Sequence, residues 1–394
     1  MVVWIASERY GGSVLDDKAK SLVTRLIRDY YSSATVAPPD IARREFGFGE
    51  FDKKISYRHM SFKDVPALAR YLVESAPPFV SYSSAEYKDP SARPIENKGF
   101  IGAELVFDLD ANDLNLKCTP SHPSFWVCPN CLESVKAETI RLVEDFLIPD
   151  FGFSEKDIRA NFSGNRGYHI HISSEEVMGL DRHARRSITK YISGIGLSAE
   201  AFFPTIGIRG VQLRGPKPSD YGWGGKISNA FVKALNEGTD SVVGLGIERP
   251  IAARLVKKRS DVIFGITTGN WDKVSIPKKA EFWENVVKSI AISQSDSIDS
   301  NVTNDPSHLI RLPGTIHGDT GLVAKEVGIL GLNRFDPTVH AIAFQKGTIT
   351  VQTGEVPEFS MQDQSFGPYK EGSTVELPTA VGVYLVLKKT AQVK

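Results

Sequence analysis

The strongest constraint on this chain is a group of four potential metal ligands within fourteen residues. Cys118, His122, Cys128 and Cys131 are separated by three, five and two residues, and the chain has no other cysteine. Thiolates and an imidazole in such a set suit tetrahedral Zn²⁺, whereas the alternative of buried or idle thiols explains neither the spacing nor the intervening prolines. Because all four positions are filled by the protein, the pattern predicts a closed, structural zinc loop over 118–131 whose binding energy helps to fold it.

Cysteine usage and hydropathy also bound the setting in which the protein works. Three clustered cysteines cannot form a disulfide framework, which indicates a reducing compartment, either the cytoplasm or, in a eukaryote, the nucleus. No stretch approaches the 18 apolar residues of a membrane span, and the beginning Met1–Ile5 lacks the basic and apolar regions of a secretory signal. We therefore expect a soluble intracellular protein with no membrane partner.

The charge balance gives no overall sign of nucleic-acid binding. Lysine plus arginine and aspartate plus glutamate both number 47. Contacts with a polyanion would have to use local basic patches, such as the one formed by Arg182, Arg185, Arg186 and Lys190. A solvated helix face is the plainer interpretation of that patch.

Apolar periodicity predicts an α+β protein. Its length of 394 residues suggests more than one structural unit. The middle of the chain is less regular, which suggests a core built from 1–180 and 291–394 around an accessory, helical insertion over 181–290. The elements predicted from the pattern are helices over 13–32, 64–76, 132–147 and 180–195, a buried strand over 101–110, a hairpin over 157–174, and further strands after 296.

Two aspartates end the predicted strand 101–110. Asp108 and Asp110 lie two residues apart, so both point to one face of a strand, about 6.6 Å apart along it, while Leu109 points to the other. Neighbouring carboxylates repel each other unless a cation lies between them, and hard oxygen ligands suit Mg²⁺ or Mn²⁺. Alone, the pair is more typical of a strand that runs into a solvated turn.

A glycine-rich turn with a basic residue divides the predicted hairpin. It reads Ser163-Gly164-Asn165-Arg166-Gly167-Tyr168-His169. Glycines allow close approach of the backbone to a ligand, and the planar guanidinium of Arg166 matches phosphate oxygens. The turn lacks the Lys-Ser/Thr ending of a P-loop. It predicts either a phosphate-binding hairpin or an ordinary turn with an exposed arginine.

A second basic motif follows a run of acids near residue 300. The segment 308–318, HLIRLPGTIHG, begins as a strand and carries Arg311 and His317. Any of Asp296, Asp299 and Asp305 could complete an acidic triad with the first two aspartates. Local reasoning leaves these three alternatives open.

These motifs, in this order, resemble the small catalytic subunit of the archaeal and eukaryotic DNA primases. The matching stretches are the Tyr30-Tyr31 helix, Arg43-Arg44-Glu45-Phe46, Tyr57-Arg58, Phe107–Asp110, the Cys/His segment, 163–169 and 308–318. Residues 180–290 match poorly. The resemblance implies a mixed α/β primase catalytic core that carries a zinc-binding loop and an inserted helical subdomain.

The resemblance also implies an activity and a set of roles. The expected reaction is template-directed primer synthesis from NTPs with two catalytic Mg²⁺ or Mn²⁺ ions. The family's third acid lies upstream of the 308–318 motif, and counting back nine residues from His308 selects Asp299. The catalytic metal ligands are then Asp108, Asp110 and Asp299, and the nucleotide-binding residues are Ser163, Arg166, His169, Arg311, His317 and Arg58. Asn165 stands where the family often has a second basic residue.

The expected partners are a large subunit, single-stranded DNA template and NTPs. Two other functions fit parts of the pattern: a related template-dependent repair polymerase or other metal-dependent nucleotidyltransferase, and a non-catalytic zinc module that binds nucleic acid. The first shares the aspartates and the phosphate-binding hairpin, whereas the second needs only the zinc loop.

Overall fold

The computed structural model describes residues 15–114, 118, 122, 125–208, 210–274, 280–294 and 298–394, with the side chains of 292–294 excluded. These residues divide into two compact units. The first is drawn from 1–140, 154–185 and 298–394, and the second from 141–153 and 186–297. The second unit includes the stretch 141–153, which is separate in sequence and therefore lies outside the segment 181–290 expected from the sequence.

All the strands of the described residues belong to the first unit. They are β1 (Phe46–Glu50), β2 (Lys53–Met60), β3 (Phe79–Ser83), β4 (Ala85–Tyr87), β5 (Phe100–Ala103), β6 (Leu105–Asp110), β7 (Ile158–Phe162), β8 (Gly167–Ile172), β9 (Leu309–Arg311), β10 (Lys325–Val327), β11 (Thr348–Thr353), β12 (Phe359–Met361), β13 (Gln364–Phe366), β14 (Thr374–Pro378) and β15 (Ala391–Val393).

The α-helices are distributed over both units. They are α1 (Asp17–Ser33), α2 (Val65–Ser75), α3 (Pro129–Arg141), α4 (Glu175–Met178), α5 (Arg182–Ile192), α6 (Ala199–Phe202), α7 (Gly222–Glu237), α8 (Thr239–Gly244), α9 (Arg249–Lys257), α10 (Arg259–Thr267), α11 (Ala280–Gln294), α12 (Ser300–Asn304), α13 (Pro337–His340) and α14 (Thr379–Leu387). A π-helical segment, Leu142–Leu147, follows α3 in sequence. Within the described ranges, no helix is both long and apolar enough to cross a bilayer.

Local signals in the sequence explain where the first two helices begin and end. The carboxylate of Asp16 accepts a hydrogen bond from the amide of Ala19 at 2.7 Å, and Asp64 does the same for Ala67 at 2.8 Å. Such N-cap bonds satisfy amides that lack partners within the helix. Helix α2 ends at Ala76, which has a φ of 43° and precedes two prolines. The predictions of helices over 13–32 and 64–76 are confirmed.

Two antiparallel four-stranded sheets form the body of the first unit. Their strand orders are β2-β1-β3-β9 and β10-β7-β8-β6. The predicted hairpin over 157–174 is confirmed, because β7 pairs with β8 in a register that places Phe162 opposite Tyr168. Strand β6 then adds to the free side of β8. This pairing brings the acidic strand against the glycine-rich hairpin, which the linear sequence does not determine.

The second unit has its own apolar core, which is helical. Helices α6 to α11 surround the buried rings of Phe203, Phe231, Trp271 and Trp283. The centroids of Phe203 and Trp283 lie 4.4 Å apart, and those of Trp271 and Trp283 lie 5.4 Å apart in an edge-on arrangement. A separate core of large aromatic side chains is sufficient reason for this segment to fold as a compact unit.

Candidate active site

The acidic pair lies on one face of β6, as the alternation of the strand predicts. In the register with β8, Asp108 is opposite His169 and Asp110 is opposite Gly167. Leu109 points to the other face and is fully buried. The imidazole Nε2 of His169 lies 3.5 Å from Oδ1 of Asp108. The two motifs therefore meet through strand pairing.

The structure places Asp299 beside this pair. Its backbone amide donates a hydrogen bond to the carbonyl oxygen of Asp108 at 3.0 Å. Its carboxylate caps α12 by accepting from the amide of Asn301 at 2.8 Å. The carboxylate of the alternative acid Asp305 accepts a hydrogen bond from the hydroxyl of Ser307, and its Oδ1 lies 3.5 Å from Nη2 of Arg182. Asp296, the remaining alternative, lies outside the described residues.

Burial and repulsion between carboxylates govern the electrostatics of this face. Burial, followed by the charges of Asp110 and Asp299, raises the pKa of Asp108 to about 7. Both effects disfavour the charged form of Asp108, which a compensating cation would favour. A divalent ion bound here would supply that compensation, so the donor set and its charge both fit Mg²⁺ or Mn²⁺.

Arg166 already has an acidic partner in this structure. Its Nε donates to both carboxylate oxygens of Asp110, at 2.6 and 2.9 Å. The hydroxyl of Ser163 accepts from the amide of Gly167 at 3.2 Å and so closes the turn. The guanidinium group and the acidic strand thus neutralise part of each other's charge.

Gly164 explains how His317 reaches the hairpin. Its φ is 86°, and a Cβ atom at this position would lie 2.7 Å from Cβ of His317. A side chain at 164 would therefore be strained and would push the histidine away. The nearby hydroxyl of Thr320 donates to the carbonyl of Gly164 at 2.5 Å, which fastens the 308–318 motif to the turn.

The three basic residues beneath the hairpin are held in an apolar setting. Burial, and then nearby positive charges, keep the pKa values of His169 and His317 well below the ordinary value, so both rings are neutral at pH 7. Burial lowers the pKa of Arg311 to about 10, which leaves it charged. The Arg311 guanidinium lies 5.0 Å from the centre of the Phe79 ring and donates to the carbonyl of Val80. A fixed cation and two neutral donors are suited to phosphate oxygens.

Arg58 occupies a different position from the other predicted nucleotide-binding residues. Its guanidinium donates to both oxygens of the fully buried Glu45, at 2.9 and 3.3 Å. The positive charge of Arg58 nevertheless influences His308. Burial is the main cause of the lowered pKa of His308, and the charge of Arg58 lowers it further. In this structure Arg58 is engaged in an ion pair at the periphery of the site.

Sequence reasoning missed several groups that the tertiary structure adds. The charge of Lys54, from β2, lowers the pKa of both Asp108 and His317. Below the sheet, the buried carboxylate of Glu104 bonds to His171 at 2.8 Å and to Arg44 at 3.1 Å. Neither residue belongs to a recognisable motif, because the lysine lies in a polar hairpin and the glutamate between the strands β5 and β6. No local signal could have selected them.

The structure corrects the proposed basic patch on α5. Arg185 is 1% exposed, and it donates to the carbonyl oxygens of Ala103 and Glu104 at 2.6 and 2.8 Å. A buried arginine that satisfies backbone carbonyls serves the fold and cannot bind an external polyanion. The spacing of the basic residues along the helix put Arg185 in the predicted patch. A long side chain at the edge of an apolar face can nevertheless turn inward, and here it does.

The four Cys/His ligands converge on one point. All four donor atoms lie within 4.8 Å of one another. Cys131 Sγ is 3.5 Å from Cys118 Sγ, 3.6 Å from Cys128 Sγ and 3.3 Å from His122 Nε2. Such a set of soft donors around a common centre fits a tetrahedral metal.

Comparison with known proteins gives a consistent result. The sequence profile of the DNA primase small subunit family matches residues 107–329. The chain is 33% identical to the DNA primase small subunit PriS of Methanothrix thermoacetophila, over 96% of this chain and 100% of that protein. It is 32% identical to PriS of Methanococcoides burtonii over 96% of this chain and 99% of that protein, and 32% identical to PriS of Natronomonas pharaonis over 91% and 94%.

Proposed function

This chain belongs to the DNA primase small subunit family, and on that basis we propose that it synthesises primers on a DNA template by joining NTPs. The observation that carries the proposal is the meeting of Asp108, Asp110 and Asp299 beside the hairpin of Arg166. An acidic face next to a set of phosphate-binding donors is the arrangement that metal-assisted nucleotidyl transfer requires.

We assign the catalytic metal site to the three aspartates. Asp108, Asp110 and Asp299 would hold Mg²⁺ or Mn²⁺, and the raised pKa of Asp108 supports a cation in that position. Bound there, two such ions would activate a ribose 3′-hydroxyl and neutralise the pyrophosphate leaving group. The protein itself then has little proton transfer to perform.

The hairpin and the 308–318 motif form the proposed nucleotide site. Arg166 would exchange its bond to Asp110 for the phosphates of the incoming nucleotide, which at the same time frees that carboxylate for a cation. Arg311 would offset charge from below, and Ser163, His169 and His317 would donate hydrogen bonds. Arg58 is assigned to the edge of the site, where release from Glu45 would be needed before it could contact phosphate.

Initiation without a primer makes a further demand on the site. A first NTP has to take the place of the primer end, so two nucleotides must be held together in reactive alignment. Proximity of this kind can contribute about 7 to 11 kcal/mol to the lowering of a barrier. The rigid antiparallel pairing of β6, β7 and β8 supports such alignment, since it fixes the acids and the hairpin on one sheet.

The Cys/His cluster is assigned a structural role. Cys118, His122, Cys128 and Cys131 would hold Zn²⁺ with no open coordination position. The convergence of their donor atoms supports this assignment.

The small-subunit family implies a large-subunit partner, which we propose for this chain, together with single-stranded DNA template and NTPs. The equal numbers of basic and acidic residues support a division of labour in which the partner supplies part of the template contact. The proposed place of work is inside the cell, in an archaeal-type cytoplasm or in a nucleus.

A template assay without a supplied primer tests the proposal. Purified protein, alone and with its large subunit, is incubated with single-stranded DNA, labelled NTPs and Mn²⁺ or Mg²⁺. New strands that begin from free NTPs are expected. Extension that occurs only from an added primer would favour the repair-polymerase alternative, and no metal-dependent incorporation at all would favour a non-catalytic zinc module.

A further inference from the structure

Lys388 is a buried cation that the proposed mechanism has not used. It follows α14, is 7% exposed, and lies in the wall of the candidate active site. Its ammonium group donates to the carbonyl oxygen of Phe125 and to Oδ1 of Asn165, both at 3.0 Å. It also lies 5.6 Å from the centre of the Tyr384 ring.

The atoms bonded to the ammonium group of Lys388 accept hydrogen bonds from it but do not neutralise its charge. Both acceptors are neutral oxygens, and an ammonium group has three N–H donors. Burial is the main influence on the pKa of Lys388, which falls to about 8; among nearby charges Asp319 and Asp110 oppose that fall, whereas Arg166 adds to it. The positive charge of Lys388 in turn lowers the pKa of His317. A buried cation is costly when the acceptors bonded to it are neutral, and an added anion would reduce that cost.

Asn165 links this lysine to the nucleotide site. It lies in the glycine-rich turn next to Arg166. The amide oxygen of Asn165 accepts a hydrogen bond from the ammonium group of Lys388, so a positive charge from the residue that follows α14 lies beside this turn. Asn165 therefore holds a second cation close to the residue that the proposed function assigns to phosphate binding.

We propose that Lys388 contacts the triphosphate of the incoming nucleotide and that Asn165 positions its ammonium group to do so. The inference rests on the proposed function, since it assigns the nucleotide to the hairpin of Arg166. The ligand class is a polyphosphate, and the contribution of Lys388 depends on the phosphates beyond the first.

Binding of ATP and AMP in the presence of Mn²⁺, measured by calorimetry on the full chain, tests the proposal. Lys388→Met is expected to weaken ATP binding about tenfold, as for loss of one charge-assisted hydrogen bond, with little change for AMP. The neighbouring, exposed Lys389 provides the control, and Lys389→Met should leave both affinities unchanged. If Lys388→Met does not fold, Asn165→Ala, expected to weaken ATP binding about threefold by releasing the lysine, takes its place.

A rescue experiment separates contact with nucleotide from a structural role. In the Lys388→Met background, Asn165→Arg should restore most of the ATP affinity, whereas in the wild-type background the added arginine meets a like charge and gains little. Unchanged ATP binding in Lys388→Met overturns the proposal. Equal loss of ATP and AMP binding with a lowered melting temperature, unrepaired by Asn165→Arg, overturns it as well.

The outcome is distinguishable from failure of the proposed function. A wild-type protein that binds ATP but starts no strands on a template would refute primer synthesis, and the affinities of the Lys388 variants would still decide the present proposal. A wild-type protein that binds no ATP would overturn both.

Discussion

The Cys/His cluster and the acidic site are both sets of candidate metal ligands, but they are constructed in opposite ways. The cluster takes its four ligands from one short loop, and their donor atoms face each other within 4.8 Å. The acidic site takes its ligands from β6 and from the residue before α12. There, Asp110 is bonded to Arg166 and Asp299 caps a helix.

On the proposed assignments, this difference separates a permanently occupied structural site from a site whose ligands exchange. The soft donors of the cluster contact one another, so a metal bound between them would complete the loop. The acids are instead held by charges and amides of the protein, which a metal and a nucleotide must displace. An exchangeable site of this kind suits ligands that enter and leave in every cycle.

Removal of one acid should have the largest effect and the most selective one. Asp108→Ala is expected to lower primer synthesis by about a thousandfold or more, equivalent to about 4 kcal/mol of transition-state stabilisation, because one metal ligand is lost. The melting temperature and the zinc content, measured by atomic absorption, should stay near the wild-type values. Asp113→Ala, an exposed acid on the same segment, is the matched control and should retain most activity. A normal primer yield from Asp108→Ala would remove the metal assignment.

The buried network under the acidic strand should affect stability more than chemistry. Glu104→Gln removes the carboxylate shared by Arg44 and Arg159 and leaves Arg44 the longer ion pair with Glu86 at 3.5 Å, so we expect a loss of about 3 kcal/mol in the free energy of unfolding measured with urea. The exposed pair of Glu237 and Lys233 provides a control, since Glu237→Gln should cost less than about 0.5 kcal/mol. An equal cost for both variants would contradict the prediction.

The lowered pKa of Glu104 predicts that the free energy of unfolding depends on pH. Although burial raises the pKa of Glu104, the hydrogen bond and charge of His171 and the charges of Arg44 and Arg159 lower it to about 2. A lowered pKa means that the folded state binds this proton less tightly than the unfolded chain. The stabilisation is therefore complete above about pH 4.5 and disappears as the pH falls toward 2. Urea unfolding between pH 5 and pH 2 should show this decline in the wild type and a smaller decline in Glu104→Gln.

Substitution of Arg166 tests whether its ion pair with Asp110 gives way to metal and nucleotide. Arg166→Ala should raise the KM for NTP about tenfold, with a smaller change in kcat, because a charged phosphate contact is lost. The variant also frees Asp110, so the Mn²⁺ concentration for half-maximal activity should fall. Arg182→Ala, which removes an exposed ion pair, should change neither value. A higher Mn²⁺ requirement in Arg166→Ala would show that the ion pair does not compete with the metal.

The smallest expected effect concerns the cluster. Cys128→Ser should lose zinc and lower the melting temperature by about 2 °C, as for a loss of about 1 to 2 kcal/mol in a chain of this size. The chain has no cysteine outside the cluster for a matched control, so removal of metal from the wild type by a chelator takes that place and should give the same shift. An unchanged melting curve would count against a structural metal.

Elements with strong local signals were predicted well. Helices α1 and α2 follow from apolar spacing, aspartate caps and the two prolines after Ala76, and the β7–β8 hairpin follows from alternation around a glycine-rich turn. The Arg185 prediction was wrong, because periodicity gives the face of a helix but not the direction in which a long side chain turns. The sequence also could not predict that 141–153 belongs to the second unit, since this depends on packing between segments distant in sequence.

The sequence alone determined the family, the alternation that places Asp108 and Asp110 on one face, and the Cys/His loop, because each depends on residues a few positions apart. Only the tertiary structure decided what lies next to them. Strand pairing puts His169 opposite Asp108, and a backbone hydrogen bond places Asp299 beside Asp108. The position of α14 brings Lys388, the residue after it, into contact with Asn165 in the turn. Contacts of this kind come from the packing of segments that are far apart in the chain, and no local spacing specifies them.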